Sequence, residues 1–249
     1  MKTSERTQAP ESSARAPKRL IVLVGGDKGG VGKSTVARAL AEYFERNQTQ
    51  YIGYDGDDTN PSFLRFFGSA ERLNTKTLKG FEPLVNHLDG DERRVQLVDL
   101  GAGTSLVLGQ FCEQTGLIDL ASQFDAQITF LFVLAPSADS VGLLKILTEQ
   151  YGDRIQYVIA RSEAIPGTWS LWEESKTRNR LLSELAATEI SIPALDAETY
   201  SMIDRHSLVW SLAAADKRLP LVNRSYVHRW LARVFAEFEK SKSVLTPRT

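Results

Sequence analysis

The sequence predicts a doubly wound α/β domain, a mostly parallel sheet with helices on both faces. Three observations lead there. Short runs of aliphatic and β-branched residues recur along the chain, helix-compatible segments separate most of them, and a glycine-rich turn joins the first run to the first helix. At 249 residues, 42% hydrophobic and 24% charged, the chain is long enough for one substantial core.

The first run, residues 20–24, is continuously apolar and stops at Gly25 and Gly26, which reads as a strand buried on both faces that feeds a tight loop. Residues 34–45 follow with Val36, Leu40, Ala41, Tyr43 and Phe44 at helical spacing. Further strands are expected at 51–54, 95–100, 128–134 and 157–160, with crossover helices at 140–151 and 176–187. Tyr226, Val227, Trp230, Leu231, Val234, Phe235 and Phe238 form an apolar stripe, so a closing helix is expected there. The expected organisation is a disordered tail over 1–18, rich in Ser, Thr and Pro, one domain over 19–240, and a polar tail over 241–249.

Bulk properties exclude several classes. A net charge of -1 argues against a chain built as a whole to bind nucleic acid or acidic membrane. A single cysteine, Cys112, permits no internal disulfide and suits a reducing compartment, so a cytoplasmic location is expected. No stretch approaches the roughly 18 consecutive apolar residues that span a bilayer, and the first residues lack the apolar centre of a secretory signal. His87, His206 and His228 are scattered without metal-ligand spacing.

The chemistry concentrates in the turn Gly26, Asp27, Lys28, Gly29, Gly30, Val31, Gly32, Lys33, Ser34, Thr35. Between a strand and a helix, such a turn is a phosphate loop: its backbone N–H groups face phosphate oxygens and the helix N-terminus adds partial positive charge. Lys33 then reaches the β- and γ-phosphates, and the Ser34 hydroxyl is a magnesium ligand. The general pattern G-x-x-x-x-G-K-[ST] needs glycine at position 27, where this chain has Asp27. What fits is the variant K-G-G-x-G-K-[ST], with Lys28 five residues before Lys33.

With that variant the chain resembles the ParA/MinD family of deviant Walker A ATPases. The resemblance implies a P-loop NTPase fold, ATP and Mg2+ as ligands, slow hydrolysis, and an ATP-dependent homodimer in which Lys28 reaches the nucleotide held by the partner. Asp55, Gly56, Asp57 and Asp58, after the second strand, resemble the family's first switch. They imply that Asp57 orients the attacking water and contacts the magnesium shell, while Asp55 supports the strand end. Asp99, Gly101 and Gly103, closing the strand 95–100, resemble a Walker B acid and second switch, with Asp99 at the metal and a glycine N–H, from Gly101 or Gly103, near the γ-phosphate. The expected set is therefore Lys28, Lys33 and Asp57 for catalysis; Gly29, Gly30, Val31, Gly32, Lys33, Ser34, Thr35 and Gly103 for the nucleotide; and Ser34, Asp57 and Asp99 for the metal.

Where the family ends a later strand with an adenine-reading Asn, this chain has Arg161. The segment Ile192, Pro193, Ala194, Leu195, Asp196, Ala197, Glu198, Thr199, Tyr200 resembles the TraL and StbB-like branch, linked to conjugation and plasmid stability. The implied tasks are DNA partition, intracellular positioning or a conjugation-linked role, with a protein partner or cargo adaptor. Lys217, Arg218, Arg224, His228, Arg229 and Arg233 form a C-terminal basic patch suited to non-specific DNA contact, or an ordinary solvated helix face. Trp169 and Trp172 either flank a base, form a partner surface or simply pack. Two other activity classes share the architecture: a small-molecule ligase or kinase of the dethiobiotin-synthetase type, and an accessory subunit of an envelope or secretion machine with negligible turnover. No membrane insertion is expected, because the last helix needs its apolar face for the core.

Overall fold

The computed structural model describes residues 17–26, 28–90 and 94–247. Among these residues seven strands form one sheet: β1 Arg19–Gly26, β2 Tyr51–Asp55, β3 Glu71–Arg72, β4 Val95–Asp99, β5 Ala126–Leu134, β6 Gln156–Ser162 and β7 Thr188–Ile192, in the order β3-β2-β4-β1-β5-β6-β7. Every pairing is parallel, so the sheet is wholly rather than mostly so.

Strand β1 shows how the sequence builds two cores. Leu20, Val22 and Val24 point into one apolar cluster, Ile21 and Leu23 into the other, and all five are at most 3% exposed. One layer contains the phosphate-loop helix Lys33–Arg46 and the C-terminal helices Ala197–Arg205, Trp210–Ala213 and Leu221–Lys240. The other contains the helices Ser105–Thr115, Leu117–Gln123, Ala138–Tyr151 and Lys176–Ser183.

The closing helix is as expected in face and longer in extent. Val227, Trp230, Val234, Phe235 and Phe238 are buried, each contributing about 1.5–3 kcal/mol relative to exposure. The phosphate-loop helix departs from its expected single stripe: every residue from Val36 to Phe44 is buried, because the C-terminal helices cover its outer side. The polar Glu42 is used there, its carboxylate accepting from the Trp210 and Ser211 N–H groups at 2.5 and 2.7 Å and capping the helix Trp210–Ala213.

Two expectations change. The helix expected over 176–187 stops at Ser183, and Ala186 takes a left-handed φ of 50°, which turns the chain into the unforeseen edge strand β7. The residues expected as a polar tail from 241 fold back as the short helix Lys242–Leu245, with Leu245 fully buried and the Thr129 hydroxyl donating to Val244 O at 2.6 Å. The expected N-terminal tail, apart from Pro17 and Lys18, lies outside the described residues.

Candidate functional site

The carboxyl ends of β1, β2 and β4 meet where the strand order reverses direction on either side of β1, the usual place for a ligand in an open α/β sheet. Gly26 ends β1 because a Cβ there would sit 2.8 Å from Val133 O on the neighbouring strand. The loop then turns into the helix Lys33–Arg46 through Gly32, whose φ of 102° excludes most side chains. Gly32 is also the N-cap of that helix and has no side chain to hold the first N–H groups, the arrangement of an anion site.

Lys33 is 7% exposed, and its ammonium donates to Lys28 O at 2.8 Å, closing the loop on itself. Gly29 through Thr35 line a cleft of about 540 Å³ together with Asp57 and Asn60 on one side and Ser162, Pro193 and Leu195 on the other. That volume is within the range of small-molecule and cofactor sites. Asp27 lies outside the described residues.

Three acids gather beside the loop, each in a different state. Asp55 and Asp99 are in register on adjacent strands, and Asp99 is in register with Val24 of β1. Asp55 is satisfied: Oδ1 accepts from Asp57 N at 3.0 Å and Oδ2 from Leu64 N at 2.9 Å. It supports the turn, and burial raises its pKa. Asp57 lines the cleft, where its Oδ1 accepts from the Thr59 and Asn60 N–H groups at 2.9 and 3.0 Å.

Asp99 differs from both. It is 1% exposed, and neither carboxylate oxygen completes a hydrogen bond among the described residues, although the Ser34 hydroxyl stands close by as a donor. Burial pushes its pKa up to about 7; the Asp55 and Asp57 charges add to the rise, while the Ser34 hydroxyl and the Lys33 charge oppose it. A buried carboxylate without donors is costly unless a proton or a cation joins it. The donor set, a hydroxyl with carboxylates beside a phosphate loop, fits a hard cation such as magnesium that takes its remaining ligands from phosphate and water. Among the described residues no group of three or more His, Cys, Asp or Glu forms a metal cage by itself.

The turns that follow β2 and β4 touch. A Cβ on Gly101 would lie 2.8 Å from Gly56 O, and the Thr75 hydroxyl holds that same carbonyl at 2.8 Å. Gly103, with φ 75°, stands on the exposed turn after β4 and is not among the residues lining the cleft. Lys28 is also outside the lining; its ammonium donates to the Asp139 carboxylate at 2.5 Å.

Arg161 is directed away from the cleft, into ion pairs with Glu173 at 3.4 Å and Glu189 at 3.3 Å. Because successive strand residues face opposite ways, its neighbour Ser162 lines the cleft instead. Sequence reasoning also missed Trp230, which lines the cleft and pins the Pro193 carbonyl through Nε1 at 2.7 Å. Trp172 packs: it is 1% exposed and donates to Glu189 at 3.2 Å. In the basic patch His228, Arg229 and Arg233 are exposed, whereas Arg218 is taken by Asp216 at 2.6 Å. No helix among the described residues is long and apolar enough to cross a membrane.

No family model matches the chain. Protein MobD of Acidithiobacillus ferrooxidans is 25% identical over 214 residues, covering 84% of this chain and 92% of MobD. Among solved structures, the septum site-determining protein MinD of Pyrococcus horikoshii, complexed with Mg-ADP, superposes with a TM-score of 0.51 at 13% identity, over 92% of this chain and 98% of MinD. A ParA family ATPase from Chlorobium tepidum gives 0.45 at 14% identity, over 87% and 98%. This chain has the fold of the MinD structure, a doubly wound parallel sheet with helices on both faces, the architecture that its motifs imply.

Proposed function

We propose that the protein is an ATP-binding, slowly hydrolysing dimerisation switch of the ParA/MinD type. The observation that carries the reading is the pairing of an uncapped phosphate-loop helix with the orphaned Asp99 carboxylate beside Ser34 and Lys33. Loop N–H groups and Lys33 hold the triphosphate, and Ser34, Asp57 and Asp99 hold magnesium. When bound, the metal neutralises charge on the β- and γ-phosphates.

Asp57 orients the attacking water, a role supported by its place on the cleft wall in a turn already fixed by Asp55. Asp55 itself holds the turn and takes no part in the chemistry. Lys28 acts across a two-fold interface between copies of the chain, so ATP becomes part of the dimer contact. The near contact of Gly101 with Gly56 supports a concerted response of both switches to the γ-phosphate, with the Gly103 N–H brought in on binding.

The task served is partition, positioning or a conjugation-linked function in the cytoplasm, with a protein partner that stimulates turnover. The exposed Arg229 and Arg233 supply a site for non-specific DNA contact. Calorimetry and phosphate release test the reading together. Lys33→Ala abolishes ATP binding, whereas Asp57→Ala keeps binding and slows turnover by about 10-fold or more. Hydrolysis at the parental rate by Asp57→Ala would refute the assignment of the first switch.

A further inference from the structure

The cleft runs past the phosphate loop into a corner between the helices Lys33–Arg46 and Ser62–Phe66, walled by Arg38, Asn60, Ser62, Tyr200 and Asp204. Nothing in the nucleotide reading accounts for Arg38. It is 1% exposed, with its guanidinium packed over the Phe66 ring at 3.2 Å and the Trp210 ring at 4.3 Å. Its hydrogen bond among the described residues goes from Nη2 to Leu208 O at 3.3 Å, and its Nε has no acceptor.

The nearby acids are committed elsewhere. Glu42 accepts from Trp210 and Ser211, and Asp204 pairs with Arg65. Burial lowers the Arg38 pKa only to about 10, so the group keeps its charge at neutral pH. On the same corner Ser62, 9% exposed, has an Oγ without a partner among the described residues.

Buried donors that lack acceptors are costly, and a guanidinium more so than a hydroxyl. Two of them lining one corner of a ligand cleft call for a group rich in acceptor oxygens, which a tetrahedral oxyanion provides. Thr35, three residues before Arg38 on the same helix face, shares a 3.3 Å hydrogen bond with Tyr200, so the corner adjoins the phosphate loop directly.

We propose that this corner is a second oxyanion subsite in which Arg38 and Ser62 bind a phosphate group separate from those held by the loop. The phosphate is carried on the ribose of the bound nucleotide or arrives as free inorganic phosphate. The inference rests on the nucleotide reading above for the first source only.

Calorimetry with ADP, with adenosine 3′-phosphate 5′-diphosphate, and with inorganic phosphate on the ADP-loaded protein separates the cases. For a ribose-borne group, the extra phosphate tightens binding by about 10-fold or more over ADP, and Arg38→Gln and Ser62→Ala remove the gain while ADP affinity holds. For a free oxyanion, that gain is absent, but inorganic phosphate binds the ADP-loaded parent and not the variants. If Arg38→Gln fails to fold by circular dichroism, Ser62→Ala carries the comparison. Phosphate binding that the variants lose, in a protein that does not bind ADP, would uphold the subsite and sink the nucleotide reading. Equal affinity for the two nucleotides with no phosphate binding overturns the proposal.

Discussion

Lys28 and Asp139 form an ion pair at 2.5 Å that ties the phosphate loop to the first turn of the helix Ala138–Tyr151. The hydrogen bond from Lys28 holds the Asp139 carboxyl below its ordinary pKa. Both side chains are more than half exposed, so the contact is weak and salt-sensitive. In a switch where Lys28 must reach a partner's nucleotide, the same pair competes with the dimer. Asp139→Asn is therefore expected to strengthen ATP-dependent association by about two- to fivefold at low salt. Sedimentation across a concentration series checks this, and weaker association in the variant contradicts it.

Asp99 makes ligand-free stability fall as pH rises. Its folded pKa is raised from 3.8 to about 7, so between those values the folded chain holds a proton that the unfolded chain has released. The stability is complete below the lower value and is lost as pH climbs through the upper. Asp99→Asn removes its share of this dependence, leaving that of the other buried carboxyls whose pKa is raised, Asp55 and Glu42, and stabilises the ligand-free protein at pH 8, by an amount on the order of 2–4 kcal/mol. Urea unfolding at pH 5 and pH 8 gives the comparison. An unchanged pH slope in the variant would show that Asp99 is not the titrating group.

Glu42 makes a different kind of contribution. Glu42→Ala leaves the Trp210 and Ser211 N–H groups without their acceptor under a buried interface, and is expected to cost about 1–3 kcal/mol. Glu42→Gln, which keeps one acceptor oxygen, costs less. Denaturant midpoints order the three proteins, and equal midpoints would remove the capping role.

The framework was legible wherever apolar runs coincide with elements buried on both faces. Strands β1, β2, β4, β5 and β6 each announce themselves this way. Strand β7 does not, because an edge strand buries only Ile190 and Ile192 on one side, and Thr188, Glu189 and Ser191 read as loop. The segment carrying Phe63, Phe67, Leu73, Phe81 and Leu84 buries each of them through short turns that have no period to detect.

At the site, the phosphate loop and the acids Asp55, Asp57 and Asp99 were visible because their chemistry is local in sequence. The supporting place of Asp55 was expected too, since its donors, the Asp57 and Leu64 N–H groups, lie in the turn and short helix that follow it; the buried, partnerless state of Asp99 was not, since it depends on the neighbouring strands. Arg161 and Ser162 differ by one residue in the sequence and by opposite sides of a strand in the fold. Arg38 and Glu42, spaced as an exposed helix pair, are buried because a segment more than 150 residues later covers both, with Phe66 closing over Arg38 as well.

The most direct test of the switch is the solution mass of the Asp57→Ala protein by light scattering, first with magnesium and ATP and then with ADP. The account predicts a doubled mass with ATP alone, and a return to monomer when Lys28→Ala is added. A monomer under saturating ATP would contradict it.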